Sequence, residues 1–298
     1  MTTIIPGAMT VLSMRNDYLL GLGSKGFHRI HYTDWGDPDA GQVVICVHGL
    51  TRSGRDFDDL ARALAPDFRV VCPDIAGRGR SDWLADKAHY AYPQYCADMN
   101  ALIARVTAGG APRRLYWVGT SMGGTIGMLL ASHPQSPIQK LVINDVGALI
   151  PKAALARIAS YVGRNPRFER IEDLEAHVRV AYAPFGPLTD LQWRRMSENS
   201  AVKREDGSWA FHYDPGIGAA FGQPPFSDVD LWPVWDTVTC PTLLLRGTES
   251  DLLLRDTAEQ MTRRGPCPRL VEFAGVGHAP ALMADDQIRA VRDFLLVN

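Results

Sequence analysis

The sequence predicts an α/β protein, a mostly parallel sheet with helices on both faces and a helical cap inserted late in the chain. Three observations predict it. Short apolar or β-branched runs end in glycine, aspartate or another turn residue, and stretches of helical spacing lie between several of them. The alternation then stops after Val146 and resumes only at Pro241.

In chain order the predicted strands are FHRIHYTDW from Phe27, QVVICVHG from Gln42, FRVVCPD from Phe68, RLYWVGT from Arg114, KLVINDVG from Lys140, PTLLLRGT from Pro241 and RLVEFAG from Arg269. Predicted helices cover Asp56 to Leu64, Tyr92 to Val106 and Met122 to Ser132, with a terminal one around Asp285 to Val297. Strands that are apolar almost throughout need cover on both faces, which gives the parallel sheet its two helical layers. The interval between Val146 and Pro241 holds LARIASYV, LEAHVRVAYAPF, LQWRRMSENSAV and a loop with Trp209, Phe211, Tyr213 and Pro215. A structureless loop of that length does not suit a compact domain, so residues 148–235 are expected to form a small helical cap. Residues 1–147 and 236–298 then make the core.

A chain of 298 residues with 46% hydrophobic side chains can bury one large core and still carry such a second layer. The formal net charge is -2 and no run of like charge could track a phosphate backbone, which argues against nucleic acid as a partner. Five scattered cysteines, Cys46, Cys72, Cys96, Cys240 and Cys267, form no CxxC pair and read as free thiols in a reducing compartment. The first residues carry no early positive charge, and Pro6, Gly7, Thr10 and Ser13 break their apolar run, unlike a secretory signal. No stretch approaches the roughly 20 apolar residues of a membrane span. The expectation is a cytoplasmic protein.

The most specific chemical signal is GTSMGG, Gly119 to Gly124, between the RLYWV strand and the helix from Met122. It is a GxSxG pattern in its strand–turn–helix context. A serine at so sharp a turn projects its hydroxyl from the sheet edge, and bulk at Gly119 or Gly123 would clash with the turn. Ser121 is therefore the expected nucleophile. HGL at His48–Leu50 ends the QVVICV strand. The N–H groups of Leu50 and Met122 are the expected oxyanion hole, with His48 shaping the loop. His278, in GVGHAP after the last strand, is the expected general base; His28, His31, His89, His133, His177 and His212 read as surface or packing residues. The orienting acid should follow a strand between serine and histidine in chain order. Asp251 in RGTESD is the expected acid, with Glu249 and Asp145 as rivals.

On these motifs the chain resembles an α/β-hydrolase from end to end, most closely the lid-bearing branch of serine esterases and carbon–carbon bond hydrolases. DIAGRGRSDW from Asp74, WAFHYDP from Trp209 and CPTLLLRG from Cys240 look like landmarks of that family. The resemblance implies an eight-stranded sheet and no metal or organic cofactor. It also implies that Gly77, Gly79 and Ser81 build a tight turn in which Arg78 and Arg80 are structural salt-bridge partners. Relatives that cleave carbon–halogen bonds or epoxides carry aspartate where this chain has Ser121.

The function expected is hydrolysis of small to medium, hydrophobic carboxylic esters through an acyl-enzyme. Trp193, Trp209, Phe211, Phe221 and Phe226 are candidate pocket residues. The alternative is carbon–carbon bond hydrolysis of vinylogous diketo acids, for which Arg52 is the nominee to hold a carboxylate. A ligand receptor on the same scaffold is the non-enzymatic reading.

Overall fold

The computed structural model describes residues 14–108, 113–221 and 226–297. Its first half comprises β1 (Arg15–Gly23), β2 (Gly26–Trp35), β3 (Gln42–Val47), α1 (Asp58–Leu64), β4 (Arg69–Pro73), α2 (Tyr92–Thr107), β5 (Arg114–Thr120), α3 (Met122–Ala131) and β6 (Ile138–Asn144). A long excursion follows, through β7 (Leu149–Ile150), α4 (Lys152–Ala159), α5 (Ile171–Ala181), α6 (Asp190–Ser200), β8 (Ala201–Lys203), β9 (Trp209–Phe211), β10 (Val229–Asp230) and α7 (Trp232–Trp235). The chain closes with β11 (Thr242–Gly247), α8 (Arg255–Met261), β12 (Arg269–Phe273) and α9 (Asp285–Leu296).

Eight strands form the main sheet in the order β1-β2-β4-β3-β5-β6-β11-β12. Only the pairings of β2 with β1 and β4 are antiparallel. In the parallel part, side-chain alternation sorts the apolar residues onto two faces. Val43, Ile45 and Val47 of β3 join Trp117 and Ile143 under Met99 and Leu102 of α2 and Ile126 of α3. Val44 and Cys46 join Val118 and Val142 over Leu60 and Leu64 of α1 and Val291 and Leu295 of α9. Each such fully buried aliphatic side chain contributes about 1.5–3 kcal/mol.

All seven expected strands are present. The structure adds β1, which sequence reading missed because its apolar residues Tyr18, Leu20 and Leu22 point outward at the sheet edge. The helix expected from Asp56 is split into a 3-10 turn, Gly54–Phe57, and α1. Between β6 and β11 the helices come as read, but the segment also folds two small antiparallel ladders, β7 with β10 and β8 with β9. Helix α6 starts with a capping box, in which the Thr189 hydroxyl accepts the Gln192 N–H and the Gln192 side chain accepts the Thr189 N–H. Among the described residues no helix is long and apolar enough to cross a membrane.

Candidate active site

Ser121 sits where β5 turns sharply into α3, with φ 52° and ψ -116°. A side chain in that left-handed region is strained, and the surrounding backbone holds it there. The flanking glycines are required sterically: a Cβ on Gly119 would overlap the Gly123 carbonyl, and one on Gly123 the Val47 carbonyl. The Ser121 N–H donates to the Asn144 carbonyl, which fixes the turn to the end of β6.

His278 Nε2 lies 3.0 Å from Ser121 Oγ, and its Nδ1 lies 2.8 Å from Asp145 Oδ2. Asp145 is fully buried. It also accepts the Gly247 N–H at 2.9 Å and the Ser250 hydroxyl at 2.6 Å. Asn144 bridges the same region, donating to Thr120 Oγ1 and to the Pro280 carbonyl just beyond the histidine. An imidazole held between hydroxyl and carboxylate can take the hydroxyl proton and carry the resulting charge beside the acid.

The acid expected at Asp251 is corrected by this geometry. Asp251 is exposed, and its carboxylate grips the Arg157 guanidinium of α4, with Nη2 to Oδ1 at 2.9 Å. Glu249 is exposed as well. Asp145, the rival at the end of β6, sits close to Ser121 because β5 and β6 are hydrogen-bonded neighbours, with Thr120 opposite Asn144. The loop after β11 holds that carboxylate in place through Gly247 and Ser250.

The HGL loop passes beside Ser121, since a Cβ on Gly49 would stand 3.7 Å from Ser121 Cβ. His48 is fully buried; its Nδ1–H donates to the Gly49 carbonyl at 2.7 Å, while its Nε2 accepts the Ile75 N–H at 2.9 Å. Burial pushes its pKa down to about 4, so it works as a neutral donor and acceptor. The Gly49 carbonyl also accepts the Arg52 N–H. Across a planar trans peptide the N–H of Leu50 must then point the opposite way from that carbonyl. Met122 opens α3, where a first-turn N–H has no acceptor within the helix.

Arg78 is structural, but among the described residues not through a salt bridge. Fully buried, it donates to the Leu50 and Ala76 carbonyls and the Tyr95 hydroxyl, tying the HGL loop to the body of the protein. The Arg80 guanidinium likewise reaches the Asn16 amide oxygen and, among the described residues, no carboxylate, while its backbone N–H donates to Asp74 Oδ2 at 2.9 Å.

A cavity of about 810 Å³ opens over Ser121 and His278. Of the expected pocket residues, Arg52 and Phe211 line it. Trp193 packs into the core instead, Trp209 pairs with Phe168 under the Lys203 ammonium, and Phe226 lies away from the cavity wall. The Phe221 side chain lies outside the described residues. Among the residues missed are Tyr161 in the turn after α4, His177 of α5, Tyr182 and Phe185 just beyond it, and Met196 of α6. His177, expected to be mere packing, lines the cavity with its ring against Phe168 and Phe211. Aromatic and apolar residues on the inner face of a helix read as core packing in the sequence, whether they face a cavity or a neighbouring element.

Residues 44–291 match the alpha/beta hydrolase family, and the chain belongs to it. It is 43% identical to the 3-hydroxybutyrate-oligomer hydrolase of Cupriavidus necator over 95% of this chain and 98% of that protein. Among solved structures it is similar to an alpha/beta hydrolase from Novosphingobium aromaticivorans, with TM-score 0.83, 37% identity and coverage of 96% and 99% of the two chains. A candidate hydrolase from Rickettsia typhi superposes with TM-score 0.87 at 30% identity, over 95% of this chain and 99% of that one.

Proposed function

We propose that this chain is a serine carboxylic-ester hydrolase acting on esters of hydroxy acids, short 3-hydroxybutyrate oligomers among them. The observation that carries the reading is the continuous relay from Ser121 Oγ through His278 to the buried Asp145. Ser121 attacks the ester carbonyl while His278 Nε2 takes its proton, and Asp145 holds the imidazole in the tautomer that can accept it. The N–H groups of Leu50 and Met122 receive the oxyanion, each contributing about 3 kcal/mol to the transition state. His278 returns the proton to the leaving alcohol, and water then releases the acyl-enzyme by the same path. Residues 148–235 act as a cap whose α4–α6 region walls the acyl and alcohol subsites. The likeness to the Cupriavidus necator oligomer hydrolase along nearly the whole length of both chains supports the choice of substrate.

The test is a panel of p-nitrophenyl esters of graded acyl length alongside 3-hydroxybutyrate dimer and trimer, with and without a serine-directed phosphonate. Oligomer cleavage abolished by the phosphonate is the expected result. Rapid cleavage of a vinylogous diketo acid with negligible ester turnover would instead establish the carbon–carbon alternative.

A further inference from the structure

We infer that the ester taken by this site carries a free carboxylate, and that Arg52 receives it. The inference deepens the ester-hydrolase reading above and rests on it. Arg52 follows the HGL loop on the nucleophile's side: the Cβ position of Gly49 is 3.7 Å from Ser121 Cβ and 3.9 Å from Arg52 Cγ. The residue is only 6% exposed and lines the cavity that Ser121 and His278 also line.

Its guanidinium is held from two sides. Nε and Nη2 form a fork with Asp56 at 2.8 and 2.7 Å, and the plane lies over the Tyr182 ring at 4.5 Å. Nη1 is buried and makes no hydrogen bond among the described residues, although the nearby Tyr182 hydroxyl adds to the field that favours the guanidinium's charge. Buried donors are almost always paired, so an orphan on the wall of a reactive cavity marks a place for a ligand's oxygen. Beside it, Thr51 Oγ1 and the Tyr182 hydroxyl are 3.1 Å apart and both residues line the cavity. One of the two donates to the other, so the receiving hydroxyl keeps its own hydrogen for a second ligand oxygen.

The sign of the ligand's charge follows from the rest of the wall. Three arginines, Arg52, Arg157 and Arg164, line the cavity against a single acid, Asp56. Arg157 is committed to Asp251 outside the lining, and no carboxylate pairs with Arg164 among the described residues. A planar guanidinium with a free N–H edge in such a field suits a carboxylate better than a neutral carbonyl.

The purified full-length chain should be given 3-butyryloxybutyrate as the free acid and as its methyl ester, with p-nitrophenyl butyrate as the reference ester. The wild type should favour the acid in kcat/KM by on the order of tenfold or more, chiefly through KM. Arg52→Gln should bring the ratio of acid to methyl ester to about one, and Arg52→Lys should restore part of it. Damage to the oxyanion loop would lower both esters together and leave the ratio alone, so the ratio separates recognition from structure. A wild-type ratio near one, a ratio that survives Arg52→Gln, or its loss in Arg164→Gln instead would overturn the inference. Should Arg52→Gln not fold, inhibition of the wild type decides: 3-hydroxybutyrate is expected to compete with p-nitrophenyl butyrate far better than its methyl ester does, and equal inhibition refutes the carboxylate site. Turnover of p-nitrophenyl butyrate without acid preference removes this inference alone, whereas absence of all ester turnover removes the proposed function beneath it.

Discussion

Asp145 Oδ2 stands 2.8 Å from His278 Nδ1, although 133 residues separate them and the whole segment between β6 and β11 lies in between. Two loops could satisfy the chain-order rule for the acid, and geometry selects the one at the end of β6. Asp145→Asn should therefore lower kcat by about 10⁴-fold, as expected when the imidazole loses its orienting carboxylate. Asp251→Asn should stay within a few-fold of wild type, because its exposed carboxylate pairs with Arg157 while Asp145 holds the imidazole. Steady-state kinetics on one p-nitrophenyl ester decides between them, and a collapse on Asp251→Asn with a mild Asp145→Asn would reverse the assignment.

The turn at Ser121 has no room for another carbon. Gly123→Ala places a methyl against the Val47 carbonyl, so β3 or the start of α3 must shift. Overpacking of this kind costs about 1–3 kcal/mol, and displacing the nucleophile by about 1 Å costs on the order of a hundredfold in rate. Thermal unfolding and kcat should fall together. Unchanged values in both would mean that the turn is looser than its contacts require.

His48 ties stability to pH. Burial holds its folded pKa at about 4, against an ordinary 6.5 in the unfolded chain. Between those values the unfolded chain binds a proton that the folded one refuses, so stability falls as pH drops from about 6.5 to 4. The loss amounts to about 3 kcal/mol for this group. His28 acts in the opposite sense: its hydrogen bond to Asp98 raises its pKa, and that stabilisation is lost as pH rises through the raised value. His48→Asn should flatten the acid limb of a plot of denaturation midpoint against pH and leave the limb above 6.5 alone. An unaltered acid limb would show that His48 is not the titrating group.

Met196 of α6 is buried and lines the cavity. Met196→Trp fills part of it, and kcat/KM should drop by about tenfold for the trimer and long acyl esters while acetate esters are spared. A uniform loss across acyl lengths would place the long chain elsewhere.

Most of the sheet was legible because buried parallel strands are apolar on both faces, and KLVIN or TLLL has no other stable environment in water. β1 was not, since an edge strand that turns Tyr18, Leu20 and Leu22 to solvent defies the rule that apolar means buried. The turns that carry Ser121 and His278 were legible because their glycine neighbours mark bends that few other residues permit. The acid was harder. Asp145 and Asp251 each follow a strand, and what separates them is spatial: β6 lies beside β5, and Arg157, far off in sequence, claims Asp251. Arg52 was nominated from its place after HGL, yet its Asp56 fork and its orphan nitrogen appear only once the chain is folded.

In the proposed mechanism, nucleophile, both main-chain donors and acid are all encoded before residue 146, and only the imidazole comes after the excursion between β6 and β11. The spacing of serine and carboxylate is thus set by two adjoining strands that the excursion does not interrupt. A different roof could be spliced in between them and the imidazole, changing which molecules gain entry without retuning the reaction, provided the returning strand still delivers residue 278 to the same edge.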